Sequence, residues 1–279
     1  MRATRRRPYV GRVFALILLG SGCLTGVTTV LFGFGGGFIT VPVVFAVVAA
    51  TTGADAMHTA VATSTAVMVV NASWATVTQI RSGRLRREYL HPLITFIAVG
   101  SALGALAANS ASDTVLHVLF IAYLAVTVVD SVVRRGFTDD RSRSEEVRPL
   151  SRFASTAGGV GIGAVASFLG VGGSVMTVPL LRRRGLPMAE AAAMANPLSV
   201  PVALVGTLVY ALGARPEAHH PGQVGYVNLV AAAALLCGSL PTIAITRRVA
   251  GRVPDRVHAI AYVGFLVLVL VAMTITAVV

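Results

Sequence analysis

Ten apolar segments, at roughly residues 10–33, 37–51, 57–80, 91–110, 114–133, 153–170, 172–181, 188–213, 224–246 and 256–278, fill almost the whole chain. A helix rises about 1.5 Å per residue, so about 20 apolar residues cross the ~30 Å hydrocarbon layer of a bilayer. Most of the ten reach that length. Two do not: residues 38–51 would extend only about 21 Å, and 175–181 less. Charged residues make up 12% of the chain, against about 25% in soluble domains, so the polar surface of a water-facing fold is missing. The segments predict an all-α polytopic membrane protein, multi-pass in a bacterial inner or plasma membrane.

The 23 basic residues are all arginine and face only 11 acidic ones, for a formal charge of +12. An excess of that size along a soluble face would indicate nucleic acid. Here the arginines cluster between apolar runs: at Arg5-Arg6-Arg7, from Arg81 to Arg87, and at Arg134-Arg135, Arg182-Arg183-Arg184 and Arg247-Arg248. That is the placement of topology signals and of contacts to anionic lipids, and no nucleic-acid partner is expected. The longest polar stretch, Arg134 to Arg152, holds ten charged residues. It reads as a cytoplasmic linker, 134–152, between a first transmembrane repeat, 1–133, and a second, 153–279. Cys23 and Cys237 lie inside apolar runs, which argues against a disulfide framework. The apolar run from Val13 to Leu31 is long and glycine-bearing without a convincing cleavage site, so it is expected to remain in the mature fold.

The division into halves rests on an internal repeat. Gly33-Phe34-Gly35-Gly36-Gly37-Phe38-Ile39-Thr40-Val41-Pro42-Val43 aligns without a gap on Gly170-Val171-Gly172-Gly173-Ser174-Val175-Met176-Thr177-Val178-Pro179-Leu180, 137 residues later. Weaker matches follow in the same order: Gly53 to Ser64 on Gly185 to Asn196, Gly83 on Gly225, Gly100-Ser101 on Gly238-Ser239, and Leu116-His117 on Val257-His258. Repeats of this size are common in secondary transporters. With the arginine-rich loops on the cytoplasmic side, segment 57–80 ends inside and its counterpart 188–213 ends outside, so the halves are inverted. Strict inversion puts the N-terminus outside, whereas Arg2, Arg5, Arg6 and Arg7 put it inside. Both alternatives stand at this level.

Both short segments follow the duplicated glycines, and this is where function is expected. In hydrocarbon every backbone N–H and C=O must be satisfied, so a broken helix survives only where protein or a wet cavity surrounds it. Two half-helix N-termini meeting near the midplane carry partial positive charge and exposed N–H groups suited to a small anion. The expected substrate-binding residues are Gly35, Gly36, Gly37, Thr40, Thr63 and Ser64 in one half, and Gly172, Gly173, Ser174, Thr177 and Asn196 in the other. Pro42 and Pro179 are expected to end or bend the short elements. The competing reading is packing alone, since glycine-rich patches also let membrane helices approach closely. No Gly-Lys-Ser/Thr follows either cluster, so neither is a phosphate-binding P-loop.

The remaining polar residues read more blandly. Asn71 and Ser73 suit bonding within the bundle, and Trp74 and Gln79 suit an interfacial helix end. Asp55 and Glu190 read as helix-start residues; His117 and His258 occupy matched positions that suggest architecture rather than catalysis. His219-His220 lacks the spacing of a metal site, and none is expected. No nucleophile stands beside a base, and no aspartate pair lies deep in facing spans, so the chain is not expected to be an enzyme or to carry a cofactor.

From about residue 14 to 278 the chain resembles the sulfite exporter family named for TauE and SafE, through Gly33 to Pro42, Ala62-Thr63-Ser64, Gly83, Gly170 to Pro179 and Gly225-Tyr226-Val227-Asn228. The resemblance implies a two-repeat helical permease for sulfite, an organosulfonate or a related sulfur oxyanion. The chain departs from a symmetric pattern at Ala195-Asn196, opposite Thr63-Ser64, and at Ser174, opposite Gly37. Expected partners are the small anion, a coupling proton or sodium ion, anionic lipids and a second copy of the chain. An anion channel on the same fold and a non-transporting membrane protein remain the alternatives.

Overall fold

A computed structural model describes residues 6–51, 55–81, 87–133, 152–183, 186–213 and 222–278. The stretch 134–151, Arg2, Arg5, Gly83 and His219-His220 lie outside the described residues. Among the described residues ten α-helices follow one another: α1 (Arg6–Phe32), α2 (Gly37–Thr51), α3 (Ala56–Arg81), α4 (Arg87–Ser110), α5 (Asp113–Val133), α6 (Arg152–Leu169), α7 (Ser174–Arg183), α8 (Met188–Leu212), α9 (Leu229–Thr246) and α10 (Asp255–Val278). Between α8 and α9 the strands β1 (Gln223–Val224) and β2 (Val227–Asn228) pair antiparallel. Among the described residues seven helices are long and apolar enough to cross a membrane; α2 and the Ser155–Leu169 part of α6 are shorter apolar helices. The chain is thus an all-α polytopic membrane protein, with one small hairpin of strand.

Leucines and valines such as Leu16, Val126, Val230 and Leu268 point outward, each more than half exposed. Lipid tails are as apolar as these side chains, so helix contacts rest instead on close packing of small residues. A Cβ on Gly22 would lie 2.3 Å from Leu235 O, and one on Gly26 2.6 Å from Ser239 O. Likewise a Cβ on Gly100 would lie 2.0 Å from Val160 O and one on Gly104 2.0 Å from Ala164 O. In each pair the numbers rise together, so α1 runs parallel to α9, and α4 parallel to α6. The first helix of each half therefore lies along the fourth helix of the other.

Contacts between helix ends fix the remaining directions. The starts of α3 and α5 meet the end of α4 through Asp113, His58 and Ala108. The starts of α8 and α10 meet the end of α7 through Asp255, Met188 and Arg182. His117, in the first half of α5, contacts Met273 O near the end of α10, and His258 contacts Leu31 O at the end of α1. One face of the bundle thus gathers Arg81, Arg87, Arg152, Arg182, Arg247, Arg248 and Arg252. The opposite face holds the α4–α5 turn, the strand hairpin, the end of α10 and the start of α1. Packing against α9 places the start of α1 there, with Arg6 and Arg7 on the face opposite the other arginines.

Of the two expected effects of the prolines, ending the element is not seen. Pro42 and Pro179 lie inside α2 and α7, each at the sixth helical position, so neither element ends there. A proline lacks the N–H that would bond four residues back. In α7 the freed acceptor, Val175 O, receives a hydrogen bond from the Tyr262 hydroxyl at 3.3 Å.

Candidate functional site: the crossing of two glycine breaks

Between α1 and α2, Gly33, Gly35 and Gly36 take positive φ (72°, 62° and 100°), and between α6 and α7 Gly170 and Gly172 do the same (68° and 72°). L side chains disfavour this region, so glycine is what lets each helix break and restart within a few residues. The restarted α2, of 15 residues, and α7, of 10, are about 22 and 15 Å long, too short to cross alone.

The structure brings the two breaks into contact. A Cβ on Gly37 would lie 2.6 Å from Gly170 O, and one on Gly172 3.5 Å from Phe34 O. Each break also leans on the third helix of the other half: Gly33 on Ala192 of α8, and Gly170 on Val61 of α3. Ser64 bridges them, its hydroxyl 2.6 Å from Gly170 O and 3.1 Å from Gly37 O. With one proton to share between two carbonyls, it donates a three-centre bond. The N-termini of α2 and α7 thus start beside one another, and the positive ends of their dipoles add.

All eleven expected binding residues are buried, but their hydrogen-bonding states differ. Thr40 bonds back to Gly36 O at 2.8 Å, and Thr63 Oγ1 accepts Asn228 N at 3.0 Å. Thr63 is thereby drawn to the strand hairpin, away from the breaks. Asn196 Nδ2 donates to Thr29 O at 3.1 Å while its Oδ1 has no partner; Ser174 Oγ and Thr177 Oγ1 have none either. Unsatisfied buried polar groups are costly, and native proteins keep few. Three of them belong to the second-half set, although that half carries fewer hydroxyls there.

Two side chains missed as site candidates adjoin the first break. Thr25 Cγ2 and Asn71 Nδ2 lie 2.7 and 2.8 Å from where a Gly36 Cβ would stand. Asn71 Oδ1 accepts from Ser239 Oγ at 2.8 Å, but Asn71 Nδ2 and Thr25 Oγ1 have no partner. The spacing of Asn71 from Ser64, two helical turns on α3, was the available signal: both residues face the break from one side of the helix.

A cavity of about 310 Å³ opens on the arginine-rich face, lined by Thr78, Gln79, Arg247, Arg248, His258 and apolar residues that include Val30 and Ala193. Its floor reaches toward the crossing, because Ala193 is one turn from Asn196 on α8 and Val30 follows Thr29, the partner of Asn196. On the opposite face Asp55, His58 and Asp113 each bring an oxygen or nitrogen within 4.8 Å of the others. Both His58 ring nitrogens there already face oxygen, Asp113 Oδ1 at 2.5 Å and Ala108 O at 3.1 Å.

A family model described as Sulfite exporter TauE/SafE matches residues 18–273. A probable membrane transporter protein of Haemophilus influenzae is 27% identical over 183 residues, 64% of this chain and 66% of that protein. A second probable membrane transporter protein, of Methanocaldococcus jannaschii, is 23% identical over 217 residues, 76% of this chain and 78% of its own length. The match thus spans just under two thirds of the Haemophilus protein. No solved structure matches the chain. Matched over nearly its whole length and built of helices long and apolar enough to cross a membrane, the chain belongs to the TauE/SafE sulfite exporter family.

Proposed function

We propose that the protein is an alternating-access permease for a small oxyanion, sulfite or an organosulfonate, held where the two glycine breaks cross. The observation that carries this reading is the convergence of two half-helix N-termini with buried, unpartnered polar atoms on Ser174, Thr177, Asn196, Asn71 and Thr25. The three hydroxyls and Asn71 Nδ2 can donate to the oxygens of an anion, and Asn196 Oδ1 can accept from a protonated one. Residues 1–133 and 153–279 act as two repeats of opposite orientation. The pairing of α1 with α9 and of α6 with α4 supports this, as does the opposed course of α3 and α8. The arginine-rich face is cytoplasmic. The 310 Å³ cavity is the open cytoplasmic vestibule of an inward-facing state, in which Arg247 and Arg248 raise the local anion concentration.

Reconstitution into liposomes tests the reading, with uptake of labelled sulfite and of a simple alkylsulfonate measured against concentration. Saturable flux is expected, with accelerated exchange when unlabelled substrate is loaded on the far side. Non-saturating flux without exchange favours a channel. Absence of flux for every small oxyanion overturns the proposal. Thr177→Val, which removes an unpartnered buried hydroxyl, is expected to raise the half-saturating concentration by about tenfold, the value of one buried hydrogen bond to an anion.

A further inference from the structure

His58, in the first turn of α3, is 5% exposed, and its ring is held at both nitrogens: Nδ1 lies 2.5 Å from Asp113 Oδ1 and Nε2 3.1 Å from Ala108 O. A carboxylate and a carbonyl only accept hydrogen bonds, so a neutral imidazole leaves one nitrogen lone pair against an oxygen. The geometry is satisfied when the ring carries two N–H groups or when Asp113 carries the proton. Either way the pair holds one proton more than a neutral ring beside a carboxylate. His117 and His258 make no such demand. Each offers Nε2 to one carbonyl, Met273 O and Leu31 O respectively, which a neutral ring supplies.

The second half builds the same joint from different chemistry. Asp113, the first residue of α5, accepts the backbone N–H groups of Met57 and His58 at 3.0 and 3.3 Å and so caps α3 from outside its own chain segment. Asp255, the first residue of α10, caps α8 through Met188 N at 2.6 Å. Its cationic partner is Arg182, with Nη1 2.6 Å away and the side chain almost wholly buried. Arginine keeps its charge at every physiological pH, whereas histidine does not. One joint is therefore permanent and the other titratable.

We propose that His58 and Asp113 form a proton-binding site that fastens the arginine-poor mouth of the protein, closed when the proton is bound and released when it leaves. Asp113 is 31% exposed and gives the proton a path to water on that face. Loss of the proton sets lone pair against lone pair at Asp113 or at Ala108, so one of the two contacts must lengthen. The start of α3 then separates from the α4–α5 turn. The other titratable groups around the pair are Asp55 from the turn before α3, Tyr226 beside the imidazole with ring centroids 5.1 Å apart, and His117 one turn beyond Asp113 on α5. Neither α2 nor α9 carries a charged side chain. Only the link from this mouth to substrate movement rests on the transport reading; the proton site itself does not.

Spin labels at the exposed positions Thr51 and Ser110, with Cys23 and Cys237 replaced by alanine, report the joint in the full-length protein in liposomes by pulsed electron-spin distance measurement. Between about pH 5 and 8 the ratio of short to long distances is expected to fall by at least about fivefold as pH rises. In His58→Arg, which copies the permanent joint, the short distance should persist throughout. In Asp113→Asn and His58→Gln the distribution should no longer depend on pH. A wild-type distribution that ignores pH, or a His58→Arg variant that shifts as wild type does, overturns the proposal. Labelled-sulfite exchange on the same samples separates the two ideas. A pH-dependent distance without flux for any oxyanion keeps the proton site and removes the permease reading, whereas flux with a pH-blind distance does the reverse.

Discussion

Gly37 has no room for a methyl group, because the carbonyl of Gly170 stands 2.6 Å from where its Cβ would be. The equivalent register in the second half is Ser174, whose hydroxyl is buried and unpartnered. The two positions answer different needs, and exchanging them distinguishes the needs. Gly37→Ser forces a side chain into backbone and should destabilise the protein by about 1–3 kcal/mol or more, seen as a lower unfolding temperature in detergent. Ser174→Gly should leave the elution profile of the folded protein unchanged. It should raise the half-saturating sulfite concentration about tenfold, the worth of one hydrogen bond to an anion. Thr40→Val, which removes only a bond to its own helix at Gly36 O, should do much less.

At the scale of elements, the joints at Asp113 and Asp255 hold the long helices that flank the crossing. Asp255→Asn takes the carboxylate away from the Arg182 guanidinium, whose side chain is 2% exposed. That should cost about 3–5 kcal/mol, and Arg182→Met in the same chain should restore part of it in thermal unfolding. The two breaks were legible in the sequence because glycines with positive φ, followed by a half-helix with an internal proline, recur in register in both halves. The joints were not. Nothing local in the sequence singles out Asp113 or Asp255, since the N-terminus each one caps belongs to a helix far away in sequence. Which hydroxyls are spent on their own helix and which are free, Thr40 against Thr177, also depends on neighbours that no local pattern specifies. Of the two orientations left open for α1, its packing parallel to α9 agrees with strict inversion, which the N-terminal arginines could not indicate because they report charge bias alone. Gly22 and Gly26 report where a neighbouring backbone can approach.

For the whole molecule, the closest helix pairs run between the halves: α1 against α9, and α4 against α6. Neither half buries these glycine faces by itself. Breaking the chain between residues 133 and 152 should therefore be tolerated. The two pieces, expressed together, should co-purify and retain sulfite exchange, whereas either piece alone should be degraded or aggregate. Charge acts at the same scale through the vestibule. Arg247→Gln with Arg248→Gln should slow uptake from that face at low ionic strength. The difference from wild type should shrink as salt shortens the screening length toward about 8 Å.

The pairing of α1 with α9 also sets an order of events during synthesis. Gly26 meets Ser239, a residue made more than two hundred positions later, which at about 5–20 residues per second is a delay of roughly 10–40 s. Throughout that interval the first helix has only α2, α3 and, later, α8 beside it. Its glycine face is closed only when the ninth helix arrives, so the nascent chain must keep that face unpacked until nearly the last segment has been made.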